Sequence, residues 1–291
     1  MPFGHCRETF MTEDIEIHRS INKMLSASKP TRIWESVVSI CRFNGNSAQH
    51  LGSGTLFRIA NASFVVTAAH IPENPNGKLF IDSIRNSFVA LDGMWHCHGE
   101  PYDIAIHKLS ERAVEMLRCN HFLCLEDTED DAQSPTAVYA MFGYPHCWAK
   151  PSNSQSEPIT VKPFEFYTFR YEHANPAIVN FDHRYHLLLN GELSKTTNQD
   201  GSPVSFCDLS TSLKGMSGCC VWRIGDYRNQ LELWHNERPR IVGVENAVYK
   251  NPGIIKATRW LFVYKLIAFA YPELETTMQT SMKSSFRAFI K

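Results

Sequence analysis

The feature that most constrains the fold of this chain is a series of short apolar segments separated by turn residues. Segments rich in Val, Ile and Phe occupy 36–43, 51–59, 63–68, 79–84, 87–91 and 103–108, and others follow at 136–142, 165–171, 186–189, 219–224 and 241–248. Short strands at regular spacing, without helices alternating between them, are typical of all-β barrels and sandwiches. The sequence therefore predicts an all-β fold.

An acidic stretch divides these strands into two groups. Residues 126–131 read Glu-Asp-Thr-Glu-Asp-Asp, with no apolar side chain, which predicts a solvated connector or, alternatively, an acidic calcium site. We predict one β-barrel over 31–128 and a second over 129–256. A helical segment is expected over 1–30 and another over 257–291, because apolar residues recur there at four-residue spacing. These terminal helices pack on the barrels, or they contact a regulatory partner or a second copy of the chain.

Composition excludes several classes of function. The formal net charge is −1, with 29 basic and 30 acidic residues, so we expect no broad binding to nucleic acid. No window contains the 18 or more uninterrupted apolar residues of a membrane span, so we expect no membrane association. The nine cysteines are scattered, and the first 20 residues lack the apolar core of a secretory signal. We therefore expect a cytoplasmic protein with free thiols.

Three segments carry residues suited to catalysis. Residues 64–70 read FVVTAAH, a buried strand that runs through two small residues into His70. Asp103 opens a strand, where an interior carboxylate requires a partner such as an imidazole N–H. Glycines flank Ser217, at Gly215 and Gly218. They permit a tight turn that exposes the hydroxyl and lets the N–H groups of residues 215 and 217 point into one space. Taken singly, each segment is more often structural.

Together the three segments resemble the chymotrypsin/trypsin superfamily. Its signatures are a T-A-A-H histidine segment, a D-I-A aspartate segment and a G-x-S-G nucleophile segment, and this chain has them in that order at 67–70, 103–105 and 215–218. The resemblance runs from about residue 37 to about residue 248. It is closest to bacterial members related to the HtrA proteases, which share the segment LGSGTL at 51–56 and FGYP at 142–145.

The resemblance implies two packed six-stranded antiparallel barrels with the site in the cleft between them. It further implies a serine endopeptidase without a cofactor or metal, acting on protein or peptide substrates. Ser217 would attack the scissile carbonyl, His70 would act as general base, and Asp103 would orient the imidazole. The N–H groups of Gly215 and Ser217 would form the oxyanion hole. The substrate-binding residues implied are Thr211, Val244, Glu245 and Asn246.

Departures from the family pattern bear on regulation. Met216 occupies the position at which zymogen-activated relatives have an aspartate, so activation by cleavage is not expected. The main alternative is an inactive module of the same fold that binds a protein partner. Two imidazoles in His96-Cys97-His98 have a spacing that can bind zinc, but further ligands at suitable spacing are missing. The adjacent Cys219 and Cys220 are expected to be buried thiols.

Overall fold

The computed structural model describes residues 31–43, 48–73, 77–82, 88–130, 136–146, 149, 164–171, 178–191, 213–226, 239–249 and 253–281. The helical segment expected over 1–30 and the expected substrate-binding residue Thr211 lie outside these residues. The described chain forms two antiparallel sheets, one from each half of the sequence. Two α-helices follow the last strand of the second sheet, near the C-terminus.

The first sheet contains seven strands, in the order β5-β4-β1-β2-β3-β7-β6. They are β1 (Val37–Phe43), β2 (Ala48–Ile59), β3 (Ala62–Thr67), β4 (Lys78–Asp82), β5 (Phe88–Ala90), β6 (Trp95–His98) and β7 (Ile104–Lys108). Strand β2 pairs Thr55 with Val66 of β3 across the hairpin at 60–61. The interior of this sheet is a cluster that includes Ile40, Leu56 and Val65, each of which is buried because alternate residues of a strand face one side.

The second sheet contains six strands, in the order β10-β13-β12-β11-β8-β9. They are β8 (Ala137–Gly143), β9 (Phe164–Phe169), β10 (His186–Asn190), β11 (Cys220–Asp226), β12 (Arg240–Tyr249) and β13 (Ile254–Arg259). Its interior cluster includes Tyr139, Phe166 and Val242, together with Met216 and Cys219 of the segment around Ser217. The nucleophile segment is therefore anchored in the core of this sheet.

Four α-helices accompany the sheets in the described residues: α1 (Thr31–Ser36), α2 (Glu111–Met116), α3 (Trp260–Ala270) and α4 (Glu275–Ser281). Short 3-10 turns occupy Leu125–Asp127 and Pro272–Leu274. Ser110 caps α2 by accepting from the N–H of Ala113 at 3.2 Å, as a short polar side chain does before a helix. None of the helices seen in the described residues is long and apolar enough to cross a bilayer.

One large apolar cluster joins both sheets to helix α3. It contains Phe57 and Phe64 from the first sheet, Trp222 and Val244 from the second, and Trp260 from the helix. The ring of Phe57 meets that of Trp260 edge to face, with 5.2 Å between the ring centroids, within the range of roughly 4.5–7 Å typical of aromatic pairs. Because α3 buries side chains on most of its sides, it forms part of the core between the two sheets.

The structure confirms an all-β fold of two curled antiparallel sheets, consistent with a trypsin-like double barrel. It differs from the sequence-based expectation in the first sheet, which has seven strands where six were expected. The additional edge strand β6 contains the His96-Cys97-His98 segment. Strand β13 was not predicted, since its residues precede an apolar helix and merge with it in the hydropathy pattern. It extends the second sheet to Arg259, past the expected boundary at 256.

The prediction of a solvated acidic connector was wrong for residues 127–130, whereas Glu126 is exposed and Asp131 lies outside the described residues. The Asp127 side chain is buried and accepts from the N–H of Cys124 at 2.9 Å. Glu129 forms an ion pair with Arg223 at 2.6 Å, and Asp130 forms one with Arg259. The backbone N–H of Glu129 also bonds to the carbonyl of Ile241. The acidic residues look solvated in the sequence because their basic partners lie about 100 residues further along the chain.

Candidate active site

His70 and Asp103 form a hydrogen-bonded pair at the ends of two paired strands. His70 follows β3 and Asp103 precedes β7, and these strands pair antiparallel with Thr67 opposite Ala105. The Asp103 carboxylate accepts from the His70 Nδ1 at 2.8 Å through Oδ2 and from the His70 backbone N–H at 2.9 Å through Oδ1. Both carboxylate oxygens are thus engaged by one residue. This contact fixes the ring orientation and leaves Nε2 as the nitrogen that can accept a proton.

The pair perturbs the pKa of each partner. The hydrogen bond from Asp103 raises the pKa of His70 above 6.5, against the opposing effect of burial. Burial alone would raise the pKa of Asp103, but the hydrogen bonds and charge of His70 hold it below its usual value. At neutral pH the carboxylate is therefore ionised, which is the state that stabilises a protonated imidazole.

The backbone around Asp103 is held in an unusual conformation by residues of the second sheet. Asp103 has a φ of 49°, in the left-handed region that costs about 1–2 kcal/mol for a residue with a Cβ. The carbonyl of the preceding residue, Tyr102, accepts from the Asn246 amide at 3.0 Å and from the Thr258 hydroxyl. The second sheet thus positions the aspartate that the first sheet supplies.

Ser217 lies against the first sheet through close backbone contacts. Its carbonyl accepts from the N–H of Ser53 on β2 at 2.8 Å. A Cβ at Gly218, whose φ is +90°, would come within 2.1 Å of both the Ser53 carbonyl oxygen and the Thr67 hydroxyl. Only glycine allows this approach. Because Thr67 is three residues before His70, the contact brings the serine segment next to the strand that ends in the histidine.

The residues before Ser217 form a tight turn of defined type. The N–H of Met216 bonds to the carbonyl of Leu213 at 3.0 Å, and Gly215 has a φ of +95°, which are the features of a type II turn. The Lys214 carbonyl accepts from the N–H of His146 at 2.6 Å. Because a trans peptide directs its carbonyl and its N–H to opposite sides, this bond turns the Gly215 N–H away from His146.

His50 also supports this turn, on the same side as His146. The imidazole is buried and hydrogen-bonds through Nε2 to the carbonyl of Tyr144 at 2.6 Å and through Nδ1 to the hydroxyl of Ser39 at 2.8 Å. Burial lowers the pKa of His50 to about 4, so the ring is neutral at physiological pH. The Nε2 atom would lie 3.0 Å from a Cβ at Gly215. The neutral ring therefore packs directly against the turn.

Two N–H groups of the turn have no acceptor within the residues the structure describes. They belong to Gly215, which is buried, and to Ser217, which is partly buried. The carbonyl of Gly215 is satisfied, because it accepts from the Ser53 hydroxyl at 3.1 Å. Buried backbone N–H groups without partners are rare in folded proteins. This pair is available to bind an anionic oxygen, as the sequence predicts for the oxyanion hole.

Of the residues expected to bind substrate, Val244 and Asn246 are engaged in contacts within the protein. Strand β12 pairs with β11 at Val244 and with β13 at the same residue, so neither backbone edge of Val244 is open to a peptide. Asn246 donates its amide to Tyr102 and Thr258. From Asn246 to Tyr249 the strand pairs only with β13 within the described residues. The edge that could add a substrate strand therefore begins after Glu245.

Glu245 has an unexpected environment. The resemblance places it near the substrate pocket, and the structure buries its side chain completely next to Ser217. Burial raises the pKa of its carboxyl to about 8, while the charge of His70 lowers it and that of Asp103 raises it. Sequence reasoning could place this residue but could not show that its charge lies in the interior.

The cysteines next to Ser217 are poor nucleophiles. Cys219 and Cys220 are fully buried and free. Burial raises the pKa of Cys219 far above its usual value and that of Cys220 to about 12, so both remain protonated thiols. The His96-Cys97-His98 segment lies on edge strand β6. Within the described part of the chain, no three His, Cys, Asp or Glu side chains come together as metal ligands would.

The chain is similar to known proteins only in structure, and at low identity. No family model matches the chain, and no curated sequence matches it. Among solved structures it is similar to the MamO protease domain from Magnetospirillum magneticum, with 12% identity and a TM-score of 0.45 over 80% of this chain and 96% of that one. It is also similar to a Glu endopeptidase, with 15% identity and a TM-score of 0.46 over 84% and 94% of the two chains.

A third similar structure is the tobacco vein mottling virus protease, with 11% identity and a TM-score of 0.42 over 79% of this chain and 78% of that one. All three are described as proteases or endopeptidases. At these identities and scores the similarities carry no conclusion about this chain. The chemistry of this chain has to be argued from its own residues.

Proposed function

We propose that this chain is a serine endopeptidase that hydrolyses peptide bonds through an acyl-enzyme on Ser217. The observation that carries the proposal is the double hydrogen bond of Asp103 to the ring and the backbone of His70. A buried aspartate that orients a half-exposed imidazole at the end of a strand is the arrangement required of a general base. A purely structural histidine would have no need of a free Nε2.

In the proposed reaction, the Ser217 hydroxyl attacks the carbonyl carbon of the substrate while His70 Nε2 takes its proton. The C–N bond then breaks, and His70 returns that proton to the leaving amine. Water attacks the resulting ester by the same route and releases the second product. The N–H groups of Gly215 and Ser217 have no acceptor among the described residues. They support this proposal, because they can bind the oxyanion that forms in each half of the reaction.

The fixed turn before Ser217 also supports an active enzyme. Type II geometry at residues 213–216 directs the Gly215 N–H away from His146, and contacts with His50 and Ser53 also hold the turn. These contacts do not involve a new N-terminus. Met216, which replaces the aspartate of zymogen-activated relatives, lies buried in the core of the second sheet. We therefore propose that activity does not depend on proteolytic maturation.

A fluorophosphonate probe tests the proposal directly, because it reacts only with an activated serine. We expect covalent labelling of the wild-type protein, no labelling of Ser217→Ala, and greatly slowed labelling of His70→Ala. Ser205→Ala serves as the matched serine control and should label as wild type does. Failure of the folded wild-type protein to label and to cleave a peptide library would support the alternative, an inactive module that binds a protein partner.

A further inference from the structure

The backbone of Glu245 lies directly beside the nucleophile segment. Its N–H donates to the carbonyl of Cys219 at 2.9 Å, and its carbonyl accepts from the N–H of Gly218 at 2.8 Å. The side chain points to the opposite face of β12 from Val244, which packs in the cluster between the two sheets. The Glu245 carboxyl is therefore fixed within a few residues of the site of attack.

The carboxyl of Glu245 is fully buried and unsatisfied. Its residue has 0% exposure, and neither Oε1 nor Oε2 has a hydrogen-bond partner within the described residues. The Ser217 hydroxyl is near enough to lower the pKa of this carboxyl, but its geometry falls short of a hydrogen bond to either oxygen. Leaving such a group without a partner is costly, so a role that requires it is expected.

No positive side chain in the described part of the protein pairs with Glu245. The buried Lys256 on neighbouring β13 lies 3.9 Å from Glu100, and its charge acts on Asp103. The positive group that acts on the Glu245 carboxyl is His70 in its protonated form, and His70 already pairs with Asp103. A cation would therefore have to come from outside the described chain.

We propose that Glu245 pairs with a lysine or arginine side chain of the substrate, at the residue whose carbonyl Ser217 attacks, and so selects cleavage after basic residues. This inference rests on the proposed function and specifies its substrate class. A neutral side chain of the same length would leave the buried carboxyl without a partner. Removing one member of a buried charge pair costs enough to predict a preference of about 30-fold or more.

The test compares peptides that differ only at the residue before the scissile bond, with Lys, Arg, norleucine, Gln or Glu. Norleucine has nearly the shape of lysine without its charge. For wild type we expect kcat/KM for Lys to exceed that for norleucine by about 30-fold or more. In Glu245→Gln this ratio should fall at least tenfold. Glu73→Gln removes an exposed carboxylate whose charge also acts on His70, and it should leave the ratio within about threefold of wild type.

A second measurement uses only the wild-type protein, in case the Glu245 variant does not fold. Pentylammonium should protect Ser217 from the fluorophosphonate probe at lower concentration than pentanol does. If wild type labels but shows equal rates for Lys and norleucine and equal protection by the two small molecules, this inference is wrong and the proposed function stands. If wild type does not label at all, the proposed function is wrong and the inference fails with it.

Discussion

Two buried carboxyl groups flank the candidate nucleophile, and they differ in how they are satisfied. Asp103, from the first sheet, accepts two hydrogen bonds from His70, and these bonds hold its pKa below the usual value. Glu245, from the second sheet, has no partner among the described residues, and burial raises the pKa of its carboxyl to about 8. At neutral pH one group is ionised and the other is largely protonated.

This contrast indicates a division of tasks between the two sheets. Neighbouring carboxyl groups whose pKa values are moved apart by their surroundings usually have different roles. In the proposed enzyme, the carboxylate of the first sheet is already paired and would serve the base. The carboxyl of the second sheet would await a substrate partner and serve recognition. The predictions below test whether the two groups are as different as their environments imply.

The largest expected effect is the loss of kcat caused by Asp103→Asn. An amide in place of the carboxylate favours the wrong tautomer of His70, so kcat should fall by roughly four orders of magnitude while the protein still folds. The measurement is the rate of peptide hydrolysis, accompanied by circular dichroism as a check on folding. Asp92→Asn, at an exposed position, is the matched control. Turnover near that of wild type would show that Asp103 does not orient the base.

The next effect concerns stability and distinguishes Glu245 from Asp103. Since the pKa of Glu245 is 4.5 as a free side chain and about 8 in the folded protein, the folded state retains a proton that the unfolded chain loses. The free energy of unfolding should therefore decline from about pH 4.5 to pH 8, by at most roughly 5 kcal/mol. Urea unfolding of wild type and Glu245→Gln across this range measures the difference.

The difference in stability between wild type and Glu245→Gln should change with pH in that window and level off above it. Other groups titrate there as well, so the comparison of the two proteins isolates the contribution of residue 245. Parallel stability curves for wild type and the variant would show that Glu245 is ionised at neutral pH. It would then resemble Asp103, and the contrast between the two carboxyl groups would be lost.

The smallest effect is on the pH dependence of catalysis. The hydrogen bond with Asp103 raises the pKa of His70, and a general base acts only when it is unprotonated. The acidic limb of the kcat/KM profile should thus lie above pH 6.5 in wild type and shift to lower pH in Asp103→Asn. These profiles should be measured with a peptide whose side chain before the scissile bond is neutral. An ion pair between Glu245 and a cationic substrate then adds no pH dependence of its own. An unchanged limb in the variant would contradict the assignment of that pKa to the pair.

Much of the fold could be predicted because its signals are local. Alternating apolar residues marked most of the strands, and the segments around His70, Asp103 and Ser217 carried recognisable motifs. Strand β13 was missed because its pattern continues into the apolar helix α3, so no turn residue separates the two. Apolar alternation did not mark strand β6, because three of its four residues are His, Cys and His, and only the spacing of the two imidazoles suggested a strand there.

The remaining features depend on contacts between distant residues. Residues 126–131 were expected to be solvated, but Glu129 and Asp130 pair with Arg223 and Arg259 in the folded chain. In the same way, nothing in the sequence shows that the Glu245 side chain is buried with no cation beside it among the described residues. The left-handed backbone of Asp103 is likewise invisible, because it is maintained by Asn246 and Thr258. The fold brings partners of this kind together, and their spacing in the sequence does not reveal them.

Ser53 makes four contacts that together connect the two sheets at the candidate site. Its N–H meets the Ser217 carbonyl, its hydroxyl donates to the Gly215 carbonyl and accepts from the Tyr144 N–H, and its carbonyl accepts from the Thr67 hydroxyl. The alignment of Ser217 with His70 thus depends on Ser53, a single residue where the two sheets meet. A slight separation of the two halves would break these bonds first, so inactivation should precede any loss of strand structure during gentle denaturation.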